Sequence, residues 1–187
     1  LVGTENVLSS VNDTTSVKRV VLTSSTAAIY GDTIECVNTP NSKFDEDNWN
    51  TTSSASHQPY SYSKTLAERA AWKIAEDQDR WTLVVINPAF VIGATLSGKS
   101  TSATHEIFRQ LGDGTMKAGA PPFEIGMVDV RDVADAHIRA AYIKKAVGRH
   151  MIFTETQSPL GIANLIKEKY GSTYPLPTKE LPKWLLW

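Results

Sequence analysis

One cysteine is present, Cys36. A lone thiol forms no internal disulfide and no cysteine-based metal cluster, and Cys36 lies in a polar stretch without an activating basic neighbour. An excess of either charge is also missing: 19 Lys and Arg stand against 20 Asp and Glu, a formal net charge of -1. Nothing basic is left over to hold a nucleic-acid backbone, and there is no acidic tail. No apolar run approaches the roughly 18 residues of a membrane helix, and no secretory n-region and h-region opens the chain. A soluble protein of the cytoplasm, without nucleic-acid or membrane partners, is expected. The 11 glycines never fall into G-x-G-x-x-G or G-x-x-G-x-x-G, so a helix N-terminus cradling a dinucleotide pyrophosphate has no place in this chain. The 4 histidines (His57, His105, His137, His150) show no metal-ligand spacing, and no metal is expected.

What remains is an ordinary globular composition. The 187 residues are 41% hydrophobic, enough for one domain with its own core. Two N-x-T triplets, at Asn12 and Asn50, are short enough to arise by chance. Leu1 to Val11 already reads as helix interior, and the chain closes on the apolar Trp184-Leu185-Leu186-Trp187. A piece of a longer polypeptide is expected.

Hydrophobic periodicity orders the chain. Val17 to Leu22 is a short β-branched run that reads as a buried strand, ended by the hydroxyl cluster Thr23 to Thr26. Residues 31–57 read as a long polar loop. Tyr60 to Glu76 carries the strongest helical pattern, with Leu66, Ala67, Ala70, Ala71, Ile74 and Ala75 on one face. Trp81 to Ile86 is a second buried strand, which Asn87-Pro88 should stop. A loop over 93–102, a helix over 104–111, a strand over 125–128, a helix over 131–145, a strand over 151–154 and a helix over 161–170 complete the pattern. Helices alternating with short continuous apolar strands predict an α/β fold with a mostly parallel sheet. Sites in such sheets gather beyond the carboxyl ends of the strands, here Thr23–Thr26 and Asn87–Gly93.

Tyr60-Ser61-Tyr62-Ser63-Lys64 places a phenol and an ammonium at i and i+4, on one helix face. A free tyrosine, with a pKa near about 10, is a poor acid at neutral pH, and a neighbouring cation favours its phenolate. Ser25 is a strand-end hydroxyl able to hold a substrate oxygen. The plainer reading is a half-buried packing tyrosine and a Lys64–Glu68 helix pair.

Four runs in order decide between these readings: Val17 to Ser25, Tyr60 to Trp72, Ile86 to Gly93 and Val128 to Ala134. Together they resemble the extended short-chain dehydrogenase/reductases, in the branch of dihydroflavonol reductases, cinnamoyl-CoA reductases and carbonyl reductases. The resemblance implies a Rossmann-type doubly wound sheet lacking its N-terminal part. The catalytic half of the cofactor domain would occupy 1–93. A mixed region, mainly substrate-binding, would occupy 94–187, with elements returning to the Rossmann domain. It implies Tyr60 as proton donor, and Lys64 as the cation that also holds the nicotinamide ribose. Ser25 would hold the carbonyl oxygen, with Thr26 as the alternative. Pro88 and Val91 would lie along the nicotinamide, and a hydroxyl near 100–102 could also touch the cofactor. The cofactor would be NADP(H), with NAD(H) as the alternative, and the substrate a small carbonyl or alcohol. Two departures bear on that substrate. His57-Gln58-Pro59-Tyr60 does not match the cinnamoyl-CoA reductase signature, and Tyr30 stands where dihydroflavonol reductases carry a substrate-reading Asn. A generic aldehyde or ketone is therefore expected, with epimerases and hydroxysteroid-type dehydrogenases as relatives sharing the tyrosine and lysine.

Two other functions compete. Gly93 to Ser100 satisfies G-x-x-x-x-G-K-S, the phosphate loop of nucleotide hydrolases. Pro88 interrupts the strand that should feed that loop, and a solvated loop lysine is the simpler account of Lys99. A non-catalytic, cofactor-responsive scaffold of the same fold is the other alternative. Asp129 and Asp132 flank a helix start, where capping explains them.

Overall fold

The computed structural model describes residues 1–96 and 102–186. They form two compact units, each built from two stretches of chain: Leu1–Ala89 with Arg131–Ile152, and Phe90–Val130 with Phe153–Trp187.

The first unit is a parallel sheet of three strands, β1 (Arg19–Thr23), β2 (Thr82–Pro88) and β5 (Gly148–Ile152), in the order β1-β2-β5. Strand side chains alternate between faces, and the core divides accordingly. Leu83 and Val85, with Val20 and Leu22, pack against α1 (Val2–Asp13) and α2 (Pro59–Glu76) through Leu8, Ala71, Ile74 and Ala75. Val84 and Ile86, with Val21 and Ile152, meet Ala136 and Ala140 of α4 (Val130–Tyr142) on the opposite face. β2 is buried on both faces, which is why it reads as an unbroken apolar run.

Two arginines anchor this layering by capping helix ends. Arg19 donates to the carbonyls of Ala140, Ile143 and Lys144 at the end of α4. Arg80 donates to those of Val11, Asn12, Thr14 and Val17 behind α1. Cations there satisfy orphan carbonyls and complement the helix dipole.

The second unit holds a mixed sheet. β3 (Phe90–Ile92) runs parallel to β4 (Ile125–Asp129), and β6 (Glu155–Gln157) runs antiparallel to β4. Its core joins Met127 to Leu111 of α3 (Ala103–Gly112), Ile162 and Ala163 of α5 (Pro159–Tyr170), and Leu176. Ser102 and Ser158 cap α3 and α5 by accepting from the backbone N–H of Thr104 and Gly161.

Three expectations are corrected. Pro88 does not stop β2: it pairs with Ile152, and the Ala89 N–H continues the ladder to the Ile152 carbonyl at 3.0 Å. Alternate backbone groups face opposite neighbours, so the missing N–H of Pro88 falls on the β1 side, where that ladder has already ended at Thr23–Ile86. The last strand of the first unit begins at Gly148 rather than Met151, because the polar pair Arg149-His150 hides it. The polar stretch 31–57 contains two 3₁₀ segments, Thr33–Asn38 and Pro40–Ser42. The triplet at Asn50 is structural: its side chain is buried, donates to Ala27 and Ser53, and accepts from the N–H groups of Thr52 and Ser53.

Candidate active site

The carboxyl end of β1 leads straight into the site. Thr23, Ser24 and Ser25 follow one another there, each held by a different partner. Thr23 presents its carbonyl to Lys64 Nζ at 3.2 Å, and its hydroxyl meets His137 Nε2 at 2.7 Å. His137 Nδ1 lies 2.7 Å from the Val133 carbonyl, so Nδ1 donates and Nε2 accepts from Thr23. Ser24 is buried and donates to Glu68 Oε2. Ser25, half-buried, caps the 3₁₀ turn Thr26–Ala28: its Oγ accepts from the Ala27 N–H at 3.1 Å. That bond uses a lone pair and leaves the Ser25 hydroxyl proton free to donate outward. Thr26 is the first residue of the turn itself.

Helix α2 supplies the other groups. It starts at Pro59, whose fixed φ suits the first helical turn, behind Gln58 at φ 52. Gln58 donates to Asp32 at 2.8 Å, and His57 meets the same carboxylate at 2.9 Å. Tyr60 follows in the first turn with 64% of its surface exposed. Lys64, one turn on, is half-buried beside β1. Burial pushes its ammonium below the ordinary value of 10.5, against the opposing pull of the Glu68 charge.

Ser25, Tyr60, Lys64 and Pro88 thus belong to the first unit, and Val91 to the second, in the middle of β3. Of the hydroxyls near 100–102, Ser102 caps α3 and residues 100 and 101 lie outside the described residues. Ser97 to Ser100 of the phosphate-loop pattern lie outside them too. On the described side, β3 is three residues long and α3 begins only at Ala103, whereas a phosphate loop runs a strand into a helix opening at its Lys-Ser. Gly93 has φ 138, and a Cβ there would meet Val130 Cγ1 at 2.6 Å. Close packing explains that glycine. Among the described residues no group of His, Cys, Asp and Glu could hold a metal ion, and Cys36 donates to the Ser42 carbonyl.

A buried polar cluster lies directly behind the site. Glu68, 1% exposed, is met on Oε2 by Ser24 and by Asn87 Nδ2 (2.8 Å), and on Oε1 by Arg149 Nε (2.6 Å) and Trp72 Nε1 (3.4 Å). Asn87 Nδ2 also reaches the Ser25 carbonyl at 3.1 Å. Arg149 continues to the carbonyls of Glu46, Asn48 and Ala28 and lies 3.9 Å from the Trp49 ring, with Arg69 also over that ring at 4.5 Å. Glu68 is therefore not the surface partner of Lys64 that helical spacing suggests. Nothing local in the sequence marks Arg149 as its partner, 81 residues away.

A parallel sheet with helices packed on both faces defines the class: a Rossmann-like α/β fold. The model of the NAD dependent epimerase/dehydratase family matches residues 1–152, and the chain belongs to that family. It is 36% identical over 180 residues to tetraketide alpha-pyrone reductase 2 of Arabidopsis thaliana, covering 95% of this chain and 54% of that protein. It is 34% identical over 154 residues to the NADPH-dependent methylglyoxal reductase GRE2 of Saccharomyces cerevisiae, covering 76% of this chain and 44% of the relative. Among solved structures, Gre2 of Candida albicans in complex with NADPH superposes with a TM-score of 0.78 at 29% identity, over 95% of this chain and 56% of that one. The chain spans about half the length of the curated relatives it matches.

Proposed function

We propose that the protein is an NADP(H)-dependent reductase of small aldehydes and ketones, with Ser25, Tyr60 and Lys64 as its catalytic set. The observation that carries this reading is the convergence at the end of β1. The Lys64 head reaches Thr23 two residues before Ser25, and Tyr60 stands exposed one turn earlier on the same helix. The names of the relatives support NADPH and a carbonyl substrate. The residues present suit the nicotinamide end of such a cofactor: an ammonium with donors to spare beside an exposed phenol, at the carboxyl end of a parallel sheet. When bound, NADPH supplies the hydride.

The chain's own groups do the rest. Ser25 Oγ donates a hydrogen bond to the substrate oxygen and fixes its position. Tyr60 gives its phenolic proton to that oxygen as the carbon is reduced, a general acid step. Lys64 places a positive charge next to the developing phenolate and offers a donor to the ribose. Pro88 of the first unit is a proposed nicotinamide contact in the same reading, and Val91 of the second unit is proposed to bind the cofactor as well. Residues 1–93 would carry the catalytic half of the cofactor domain, and 94–187 a mixed region, mainly of substrate contacts, with a strand and a helix returning to the Rossmann domain. No helix among the described residues is long and apolar enough to cross a membrane, and the cytoplasm is the proposed location.

The test is NADPH oxidation by the complete polypeptide against a panel of aldehydes and ketones, including methylglyoxal, beside its Tyr60→Phe variant. The expected result is turnover that falls by roughly 10²–10⁴-fold in the variant, the usual worth of a positioned acid, with NADPH binding retained. NADPH binding without reduction of any carbonyl would favour the scaffold alternative and end the reductase reading.

A further inference from the structure

We propose that Glu68 is a positioning residue for the catalytic set: its buried carboxylate fixes the strand end that carries Ser25 in register with Lys64. The inference rests on the reductase reading for its meaning, and on geometry for its content.

Three consecutive residues of the strand end are held from α2 and β2. Lys64 Nζ holds the Thr23 carbonyl, Glu68 Oε2 accepts from the Ser24 hydroxyl, and Asn87, bonded to that same Oε2, holds the Ser25 carbonyl. Lys64 and Glu68 are one helical turn apart, so two successive turns of α2 grip two successive residues of the strand end. A slip of one residue would turn the Ser25 side chain to the other face. Arg149 Nε and Trp72 Nε1 hold the other carboxylate oxygen, so Glu68 cannot rotate without giving up several bonds together.

The charged groups meeting Glu68 are Lys64 from its own helix and Arg149 from β5; Ser24, Asn87 and Trp72 are neutral. Removing the carboxylate charge therefore leaves Lys64 with burial alone acting on it. One residue thus holds the strand end through Ser24 and Asn87 and also acts, by its charge, on Lys64. A purely structural ion pair would do neither.

The experiment uses the complete polypeptide carrying Glu68→Gln. The steady-state parameters and the alkaline limb of the pH–rate profile are followed, together with the NMR titration of Lys64 through its Cε resonance. The expected result is a kcat reduced about 10–100-fold with the KM for NADPH changed less than about threefold. The alkaline limb and the Lys64 titration should both move to lower pH. Ser24→Ala removes one bond while sparing the Arg149 pair, and covers the case in which Glu68→Gln does not fold. It should lower kcat several-fold without moving the Lys64 titration. Lower thermal stability with unchanged kcat and unchanged Lys64 titration in Glu68→Gln would overturn the proposal, as would an unchanged kcat in Ser24→Ala should Glu68→Gln not fold. A wild-type protein that reduces no carbonyl while its Lys64 titration still moves in Glu68→Gln would sink the reductase reading and leave the positioning intact.

Discussion

Lys64 shows how a side chain with a proposed role in the site can be costly to the fold. Its ammonium sits half-buried with a lowered pKa, so between that value and the ordinary 10.5 the unfolded chain holds a proton that the folded chain does not. Stability contributed by this group therefore rises with pH across that window, and at neutral pH the buried charge is a net burden. Lys64→Met keeps the stem and removes the charge. Its melting temperature at pH 7 should equal or exceed that of the wild type, and the advantage should shrink toward pH 10, as thermal melts at both values would show. Turnover should meanwhile fall by about 10²–10⁴-fold if Lys64 serves Tyr60 as proposed. A clear loss of melting temperature at pH 7 would mean that the bond to the Thr23 carbonyl outweighs the burial cost. The shared helix face of Tyr60 and Lys64 is legible because helical spacing puts i and i+4 on one face, while their proposed role rests on the resemblance of the four runs around them. Asn87 and Glu68 are harder to see, since most of their partners come from other elements and no local pattern encodes them.

Elements were legible where their chemistry is local. α2 is bounded by Pro59 at its start and runs to Glu76, within a residue of the span its apolar face predicts. β5 is hidden in the sequence because Arg149 and His150 look like loop residues, and an arginine is tolerable there through distant partners, the Glu68 carboxylate and the carbonyls of Glu46, Asn48 and Ala28. β2 was cut short at Pro88 because a missing N–H matters only on a side that is paired, which the strand's own sequence does not tell. Arg80 is a third case, a loop residue on paper and a helix cap in the fold. Its guanidinium serves four carbonyls behind α1, while α1 itself buries only Leu8 fully. A helix with so little buried surface depends on that cap. Arg80→Ala should destabilise the first unit by about 1.5–3 kcal/mol, the range for hydrogen bonds to a charged group. Urea unfolding would measure it, and a change under about 0.5 kcal/mol would show that water replaces the guanidinium adequately.

At the scale of the whole chain, sequence order and compactness part company. A linear division at 93/94 follows the order of motifs, whereas the compact units interleave, with 131–152 folding back onto 1–89. The two stretches of the first unit are joined by backbone pairing of β2 with β5, by Arg19 on the end of α4 and by Arg149 on Glu68. Only the last is a buried ion pair, with side chains 7% and 0% exposed. Removing one partner of such a pair leaves an uncompensated charge, at a typical cost of about 3–5 kcal/mol. Arg149→Met should therefore destabilise by about that much, losing its carbonyl contacts to Glu46, Asn48 and Ala28 as well. Glu68→Gln in the Arg149→Met background removes both charges of the pair and keeps an acceptor for Ser24 and Asn87. The double variant should lose less than the sum of the single losses, by about 0.5–3 kcal/mol, the span found for groups in direct contact. A double-mutant cycle in urea reads this coupling directly. A value near zero would mean that the Arg149–Glu68 contact adds nothing to the hold on β5, with Arg149 and Glu68 stabilised independently by their other partners.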